Sequence, residues 1–578
     1  MSEEDITPEL AAQNMWRWQW RRRGAIARGE FEAELVLRGG RVLNVFTDEL
    51  VEADIAIDAG HIVGIGSFAK GRKEMDVAGR IVAPSFIDAH IHLESSLLWL
   101  PEFAKTVVAH GTGAVIADPH EMANVAGLPG IEAMRKAAHG LPLQIVFTAP
   151  SCVPASAHES PGATFGLEEI SEMLAWPETV GLGELMDFPA VLAADQDVGA
   201  KLWASRERIR DGHAPGLSGS ALQTYIGSGI HSDHESVSLD EAREKLALGL
   251  FIMLRDGSSE KNMLDLLPLV SDATYPRIAF ASDDRDCRDL LTRGHVDDIL
   301  RSAIRAALDP IRAIRMATWN AANHWQLPDT GAIAPGYRAD LVVLRDLETI
   351  DVEMTIYRGS IVARDGVFVG SINESSSPDF LQSTVHIAPL HLSHLALLAS
   401  DATRAVEVIP GQIVTRMIEV EPTIEQGKAV TNPAEDLLKL VCVERHHATG
   451  RVGVGYVRGF GLKSGALAGT IAHDAHNIVA VGVSDTDILA AIATVADLQG
   501  GLAVVADGQV LKALPLPIAG LMSPEPAAAV AAAYTALEER AHTLGSMLES
   551  PFGQLAFMAL SVIPEARVTD RGLLDLRT

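Results

Sequence analysis

Two hydrophobic periods alternate along the chain. From Ala33 onward, apolar and polar residues alternate with a period of two in AELVLRGGRVLNVF, VEADIAIDAGHIVGIG and KEMDVAGRIVAPS. A period of two with DG, AG and GG turns between the runs predicts short strands. The same pattern returns in GAIAPGYRADLVVLRDLETIDVEMTIYRGSIVARDG. We therefore expect one small, β-sandwich-like domain formed from both flanks, residues 1–84 and 331–370, with another domain inserted between them.

Between residues 85 and 330, apolar strands alternate with helical stretches such as SLDEAREKLALG. Eight β/α repeats over about 250 residues predict a (β/α)8 barrel, an α/β fold. The fifth repeat is the weakest, because RERIRDGH is mostly polar. A doubly wound open sheet shows the same alternation, but no GxGxxG follows the first strand, which counts against its dinucleotide-binding form. The eight predicted strands cover residues 81–92, 111–118, 142–149, 179–184, 207–213, 229–234, 248–256 and 277–283.

Both ends of the chain have patterns of their own. Residues 1–23 predict a helix ending in WRWQWRRR, whose three tryptophans we expect to pack on the body while the arginines stay solvated. The segment 371–384, SINESSSPDFLQST, has the composition of a linker. Residues 385–578 combine apolar runs such as DLLKLVCVERH with helical runs such as DTDILAAIATVADL. They predict a C-terminal α+β domain.

Composition narrows the classes of partner. The net charge of −29 argues against nucleic acid, because a polyanion needs a basic surface. The three cysteines lie far apart without a CxxC, which favours neither a disulfide framework nor a cysteine zinc site. No run approaches the ~18 apolar residues of a membrane span, and MSEEDITPEL lacks the apolar core of a signal peptide. The composition predicts a cytoplasmic protein that acts on a small molecule.

The first predicted strand ends in two histidines, His90 and His92. Residues two apart in a strand point to the same face, so both imidazoles should lie on one side. Barrel enzymes keep their chemistry at the carboxyl ends of the strands, and polar residues recur at those ends here. His110, His139 and His295 fall instead on helical stretches. The strand-end residues are His90, His92, Asp118, His120, Glu121, Glu184, His213, His234, Glu235 and Asp283.

A pair of divalent ions held by histidines and carboxylates needs one group shared between them. In many barrels of this kind that group is a carboxylated lysine at the fourth strand. Glu184, which ends the apolar run TVGLGE, is better placed here, because the lysines of this region lie in polar helical patterns. Those lysines are Lys105, Lys136, Lys201, Lys245 and Lys261.

Proton transfer also needs candidate groups. Asp283 directly follows AFAS and is interpreted as the general base, which takes a proton from metal-bound water and passes it to the leaving group. The adjacent Asp284 leaves an ambiguity of one residue. Glu235 and Glu121 each adjoin a strand-end histidine and are candidates for a second proton-transfer group, and we favour Glu235. Either could instead orient its histidine.

Several motifs resemble those of the adenine deaminases of the amidohydrolase superfamily. The resemblance rests on PSFIDAHIHLESS, ADPHEMANV, SCVPAS, VGLGELMD, DGHAPGL, the segment around His234 and FASDDRD, and continues into GFGLKSGALAGTIAHDAHNIV and LPLPIAGLMS. It covers nearly the whole chain. It implies hydrolysis of adenine to hypoxanthine and ammonia by a hydroxide bridging two divalent metals, usually manganese or iron, with zinc as an alternative. The metal ligands that it implies are His90, His92, Glu184, His213, His234 and Asp283.

Other functions remain as alternatives. A cyclic-amide hydrolase of the dihydropyrimidinase type has a similar site, although the missing bridging lysine argues against it. A deaminase of a modified aminopurine fits the same residues. The zinc base deaminases share an H-x-E with His92-Leu93-Glu94, but the chain has no PCxxC. A non-catalytic scaffold would have no reason to keep six candidate ligands at strand ends.

The segment AHDAHN, residues 472–477, groups His473, Asp474 and His476. It either caps the barrel mouth and contacts the base, or forms a hydrogen-bonded turn in a domain used for dimerisation. We expect His120, Glu121 and Asp474 to bind the substrate or support the site. The apolar faces of the last domain predict a homo-oligomer, most simply a two-fold dimer.

Overall fold

The computed structural model describes residues 8–68, 70–372, 375–399, 402–410, 412–425 and 427–577. Within these ranges the chain is a mixed α/β structure, with parallel strands in its first half and a mainly antiparallel sheet in its last third. Among the described residues, no helix combines the length and the apolar character needed to cross a bilayer.

The N-terminal helix α1 (Pro8–Ala27) is held by an arginine. Arg22 donates two hydrogen bonds, of 2.6 and 2.7 Å, to the carboxylate of the buried Asp58. The expectation for the tryptophans was wrong: Trp16, Trp18 and Trp20 are 62%, 56% and 63% exposed. Trp16 and Trp20 stack on one face of the helix, and Trp18, midway between them, points to the opposite face. The bidentate ion pair, rather than aromatic packing, anchors this helix.

The first flank of the chain supplies five strands. β1 pairs with β2 in antiparallel register, with Val36 opposite Ala56, and with β4 and β5 in parallel register. β2 continues through a tight turn into β3. The strands are β1 (Ala33–Asn44), β2 (Glu49–Asp58), β3 (His61–Gly66), β4 (Gly71–Asp76) and β5 (Ile81–Pro84).

Eight parallel strands follow. These strands and the helices between them are here called the parallel-strand region. The first five form one sheet and the last three form another. Backbone hydrogen bonds cross both gaps: His231 donates to the Arg210 carbonyl, and Asp283 to the His90 carbonyl, each at 3.0 Å. The carboxyl ends of all eight strands therefore face the same way. The strands are β6 (Phe86–Ile91), β7 (Thr112–Ala117), β8 (Gln144–Ala149), β9 (Thr179–Leu185), β10 (Ile209–Gly212), β11 (Ser232–Asp233), β12 (Phe251–Arg255) and β13 (Ile278–Ala281).

Two of the predicted strands need comment. The predicted first strand, 81–92, is two strands, because β5 pairs with β1 while β6 pairs with β7. Both strands are buried throughout, and Ser85 between them is buried as well, so no exposed residue marks the break. The weak fifth strand is present as β10 and is buried despite its polar residues. The Arg210 guanidinium donates to three backbone carbonyls, those of Leu202, Ser228 and Gly229, which satisfies its donors inside the fold.

Twelve helices accompany the parallel strands, and side chains fix where several of them begin. Ser238 caps α8 by accepting from the backbone N–H of Glu241, and Asp309 caps α12, where Pro310 is the first helical residue. The helices are α2 (Leu100–Val108), α3 (His120–Ala138), α4 (Leu167–Leu174), α5 (Phe188–Leu192), α6 (Gln196–Ala204), α7 (Gly219–Gly227), α8 (Leu239–Ala247), α9 (Met263–Leu266), α10 (Cys287–Thr292), α11 (Val296–Arg305), α12 (Pro310–Arg315) and α13 (Ala321–His324).

The second flank returns to the sheet of the first. Its strands are β14 (Leu341–Leu344), β15 (Val352–Tyr357), β16 (Ser360–Arg364) and β17 (Val367–Phe368). β14 pairs with β5 in antiparallel register, with Val343 opposite Val82, which joins both flanks into one nine-stranded sheet. Its buried side chains, including Leu37, Ile55 and Ile356, form a core of their own.

The C-terminal part is built on an eight-stranded sheet. Helix α14 (Asp485–Asp497) covers the sheet with Ile488, Ile492 and Val495, and begins at Ser484, whose hydroxyl accepts from the backbone of Asp487. The eight strands of this sheet are β19 (Arg404–Val408), β20 (Thr415–Glu419), β23 (Leu438–Val443), β24 (Val452–Arg458), β25 (Ala466–Gly469), β26 (Ile478–Gly482), β27 (Gly501–Ala506) and β28 (Gln509–Pro515). A separate three-stranded sheet contains β18 (Leu397–Leu398), β21 (Thr423–Glu425) and β22 (Lys428–Val430), and a two-stranded sheet contains β29 (Ala566–Thr569) and β30 (Gly572–Asp575).

The C-terminal part packs directly on the parallel-strand region. Two further helices, α15 (Ala527–Thr543) and α16 (Pro551–Ala556), follow the sheet, and α15 lies against α10. Arg288 of α10 lies 4.0 Å over the ring of Tyr534 and forms an ion pair with Glu538. Ser160 donates a 2.7 Å hydrogen bond to Asp570 at a second contact. These contacts bring the loops of the C-terminal sheet to the carboxyl ends of the parallel strands.

Candidate active site

Six histidine and carboxylate side chains meet at the carboxyl ends of the parallel strands. His90 lies in β6 and His92 directly follows it, so strand alternation puts both imidazoles on one side, with their Nε2 atoms 3.3 Å apart. The other four come from β9, from the residues directly after β10 and β11, and from the second residue after β13. Sequence analysis had selected all of them as candidate ligands: His90, His92, Glu184, His213, His234 and Asp283.

Glu184 lies at the centre of this group. One carboxylate oxygen, Oε2, is 2.5 Å from His213 Nδ1 and 3.1 Å from His234 Nε2. The other, Oε1, is 3.4 Å from His92 Nε2. Burial alone would raise the pKa of this carboxyl, but the charges and hydrogen bonds of His213 and His234 hold the pKa well below its usual range. The two oxygens of one ionised carboxylate thus face two different sets of histidines.

The donor atoms are close enough to share metal ions. One set contains His90, His92 and Glu184, and Asp283 joins His90 in an overlapping set with His234. A second set contains Glu184, His213 and His234. In each set the candidate ligand atoms lie within 4.8 Å of one another. Imidazole nitrogens and carboxylate oxygens are ligands that manganese, iron and zinc accept, so the residues fit divalent metal ions.

Asp283 faces both histidines of the first strand. Its backbone has a φ of 58°, in the left-handed region, two residues after the end of β13. Oδ1 is 3.0 Å from His92 Nε2 and 3.5 Å from His90 Nε2. Burial would raise its pKa, but the hydrogen bond with His92 and the charge of Arg255 hold the pKa well below its usual range. The adjacent Asp284 makes neither contact and instead accepts a hydrogen bond from Ser95.

Arg255, at the end of β12, is a site residue that sequence analysis missed. Its guanidinium donates a 2.8 Å hydrogen bond to Asp283 Oδ2 and forms an ion pair with Glu235. A second nitrogen donates to Asn262 at 2.9 Å. Arg255 therefore links the two carboxylates predicted to move protons. The signal was its place at a strand end, but the search there was for histidines and carboxylates.

His120 connects the metal-ligand candidates to the C-terminal part. Its Nδ1 lies 3.3 Å from Glu184 Oε1 and 3.6 Å from Asp118 Oδ1. Its Nε2 lies 3.5 Å from Glu121 and 3.9 Å from Asp474 Oδ1. The imidazole thus faces the central carboxylate on one side and the 472–477 loop on the other.

Two histidines of the C-terminal part hold Glu121. His473 Nδ1 is 2.6 Å from Glu121 Oε1, and His476 forms a second close contact with Oε2. Burial would lower the pKa of His473, but the Glu121 carboxylate raises it to about 10. Burial raises the pKa of Asp474 to about 6. The result is a buried ion pair that ties the C-terminal loop to the start of α3.

A cavity opens beside these groups and has two kinds of wall. The polar wall carries the strand-end residues together with Glu260 and Asp284. The apolar wall comes mainly from the C-terminal part, where Phe557 stacks on the ring of His473 with centroids 4.6 Å apart. A cavity with one polar and one apolar wall suits a small molecule that carries both kinds of surface. The apolar lining residues are Met186, Ile413, Phe557, Leu560, Val562 and Ile563.

Two further findings concern residues away from the cavity. Lys261 lies outside any helix, contrary to its predicted helical position, and pairs with Asp256 in an isolated bridge. Lys201 and Lys245 are buried and donate to the carbonyls of Ser151 and Ala214.

Asp211 of β10 was missed, because sequence analysis treated the polar residues of the fifth strand only as a weakness of the strand signal.

Comparison with known proteins identifies the two halves of the chain. Residues 81–366 match the model of the amidohydrolase family, and residues 412–578 match that of the adenine deaminase C-terminal domain. An adenine deaminase of Dehalococcoides mccartyi is 46% identical over 95% of this chain and 96% of its own length. Adenine deaminase 2 of Carboxydothermus hydrogenoformans is 44% identical over 96% of this chain and 97% of its own length.

Solved structures were compared as well. A β-aspartyl dipeptidase of Fervidobacterium islandicum AW-1 covers 59% of this chain and 99% of its own, with 16% identity and a TM-score of 0.45. The relatives of known sequence match much more of the chain, from the first flank through the C-terminal part. With an amidohydrolase domain, an adenine deaminase C-terminal domain and relatives more than 40% identical over nearly its whole length, this chain belongs to the adenine deaminase family.

Proposed function

We propose that the protein hydrolyses adenine to hypoxanthine and ammonia. The observation that carries the proposal is the buried Glu184 carboxylate, whose two oxygens face two sets of histidines beside a cavity with one polar and one apolar wall. The relatives named adenine deaminases share nearly the whole chain and supply the substrate. Among the described residues, no lysine lines the cavity, so the bridging lysine of the cyclic-amide hydrolase alternative has no counterpart there.

We propose two divalent ions per chain, manganese or iron, with zinc as the alternative. His90, His92 and Asp283 would hold one ion, His213 and His234 the other, and Glu184 would contact both. When bound, such ions bring the pKa of water from 15.7 to about 7 and so supply hydroxide at neutral pH. The group of His120, Glu121 and Asp474 also has metal-like spacing, but we assign it to the substrate and its support.

The residues of the chain then divide the work of proton transfer. Asp283 accepts the proton of the attacking water and delivers it to the departing amino group, and Arg255 orients its free oxygen. Glu235, which shares Arg255 with Asp283, gives a proton to the ring nitrogen and takes back the hydroxyl proton as the carbonyl of hypoxanthine forms. Glu121 is instead held by two histidines. His120, Glu121 and Asp474 hold the base against the apolar wall, and the 472–477 loop excludes water.

Architecture and setting complete the proposal. The backbone hydrogen bonds across both gaps support a closed (β/α)8 barrel at residues 85–330, with a small domain from residues 1–84 and 331–370. Residues 385–578 would form the last domain. We infer a cytoplasmic location from composition and a homodimer from the apolar faces of the last domain. Its small-molecule partners would be purine bases, as the names of its relatives suggest.

The substrate assignment is tested by product analysis. Protein loaded with Mn²⁺ should release one ammonia and one hypoxanthine per adenine consumed. The rings of dihydrouracil and hydantoin should not be opened, because the proposed reaction breaks the bond to an exocyclic amino group and not a ring amide bond. In a parallel screen, 6-methylaminopurine would release methylamine and 2,6-diaminopurine ammonia, which measures the preference among aminopurines. Opening of hydantoin without adenine turnover would contradict the proposal.

Asp283 is the sharpest single test of the proton path. Asp283→Asn keeps the shape but cannot accept a proton, so kcat should fall by about 10²- to 10⁴-fold while adenine still binds. Asp284→Asn is the matched control, because its carboxylate is paired with Ser95 and should cost far less. Steady-state kinetics and equilibrium binding of adenine measure both effects. Equal kcat losses in the two variants would count against this role for Asp283.

Docking of the 472–477 loop should depend on pH. The pKa of His473 is raised to about 10, so its pair with Glu121 is fully present below the ordinary histidine value of 6.5 and is lost as pH rises through about 10. Hydrogen exchange of this loop, corrected for intrinsic rates, should therefore accelerate between pH 7 and 10.5. Glu121→Gln should exchange fast already at pH 7, with β23 as the internal reference. Equal protection in both proteins at pH 7 would refute the docking role.

A further inference from the structure

We propose that Asp211 is a positioning residue that holds one histidine of each metal-ligand set in the same orientation. The proposal rests on the two-metal site proposed above and adds the group that couples its halves. Asp211 lies in β10, the polar fifth strand, and is fully buried. No metal-ligand candidate is adjacent to it in sequence, since Gly212 separates it from His213.

One oxygen of Asp211 faces two imidazoles. Oδ2 is 2.8 Å from His90 Nδ1 and 3.5 Å from His234 Nδ1. The second distance is long for a hydrogen bond, but His234 Nδ1 is buried and has no nearer partner among the described residues. The two rings stack with their centroids 3.9 Å apart and their planes 25° from parallel. Both rings thus present the same nitrogen to the same carboxylate.

The opposite nitrogens face the metal-ligand candidates. His90 Nε2 lies 3.5 Å from Asp283 Oδ1, and His234 Nε2 lies 3.1 Å from Glu184 Oε2. A neutral imidazole carries one proton, so an Nδ1–H donated to Asp211 leaves the Nε2 lone pair free for a metal. Such partners of ligand histidines fix both the tautomer and the ring direction. A single carboxylate here does so for both sets.

Asp211 itself is held rigidly. Its other oxygen, Oδ1, accepts hydrogen bonds from the backbone of Gly212 at 3.0 Å and from the hydroxyl of Ser232 at 2.7 Å. Within the described ranges, no lysine or arginine forms an ion pair with it, so its charge faces the two imidazoles alone. Asp233 shows the contrasting case, because Lys245 neutralises that buried carboxylate. Among the described residues, the ionisable partners of Asp211 are these two histidines alone, so its carboxylate is placed to orient two metal ligands.

The test measures binding of Mn²⁺ alone to apo protein, from the electron paramagnetic resonance signal of the free ion. Asp211→Asn should weaken both sites together, by roughly 10- to 100-fold each. Asp297→Asn is the matched control: Asp297 is also buried and accepts from a histidine, His110 at 3.3 Å, but outside the site. It should keep both affinities within about threefold of wild type. Wild-type affinity at both sites of Asp211→Asn, or weakening of only one, would overturn the proposal.

A milder variant covers the case in which Asp211→Asn fails to fold, judged by circular dichroism of the apo protein. Ser232→Ala keeps the carboxylate and removes one hydrogen bond that holds it, so both affinities should fall by a smaller, matching factor. Unchanged affinities in Ser232→Ala together with an unfolded Asp211→Asn would assign Asp211 to folding and overturn the proposal. Wild-type protein that binds fewer than two Mn²⁺ ions would instead refute the proposed two-metal site on which this inference rests.

Discussion

A buried carboxylate stays ionised only where positive groups surround it, and Glu184 has such surroundings because histidines from several strands converge on it. Its oxygens lie within 3.4 Å of four imidazoles. Each imidazole arrives from a different strand end or the helix start that follows it, so the group exists only if those ends meet at one face. The parallel arrangement of the strands is therefore what the candidate site requires. The four histidines are His92, His120, His213 and His234.

The same need for charge balance joins the two halves of the chain. Glu121 is buried at the start of α3 and obtains its partners, His473 and His476, from the C-terminal sheet. Removing one member of a buried pair leaves an uncompensated charge, at a cost of about 3–5 kcal/mol. The apolar wall of the cavity comes from the same part of the chain, with Phe557 stacked on His473. The C-terminal part thus contributes both the partners of Glu121 and one wall of the cavity to the candidate site.

Sequence could predict what periodicity determines. His90 and His92 were recognisable because alternation in a strand puts both on one side, and the parallel order of the strands follows from the strand–helix repeat. Residues whose role depends on tertiary contacts could not be recognised in the sequence. Arg255 and Asp211 are examples, because their roles follow from the hydrogen bonds that they form with Asp283 and His90. The exposed tryptophans of α1 were misjudged because an aromatic side chain in the sequence does not reveal whether a surface lies beside it.

The central claim is that Glu184 contacts two metal ions, each with its own histidines. Anomalous diffraction at the manganese absorption edge, from crystals of Mn²⁺-loaded protein, tests it most directly. The account predicts two peaks per chain on either side of the Glu184 carboxylate, one beside His90 and His92 and the other beside His213 and His234. A single peak, or two peaks of which neither touches Glu184, would contradict it.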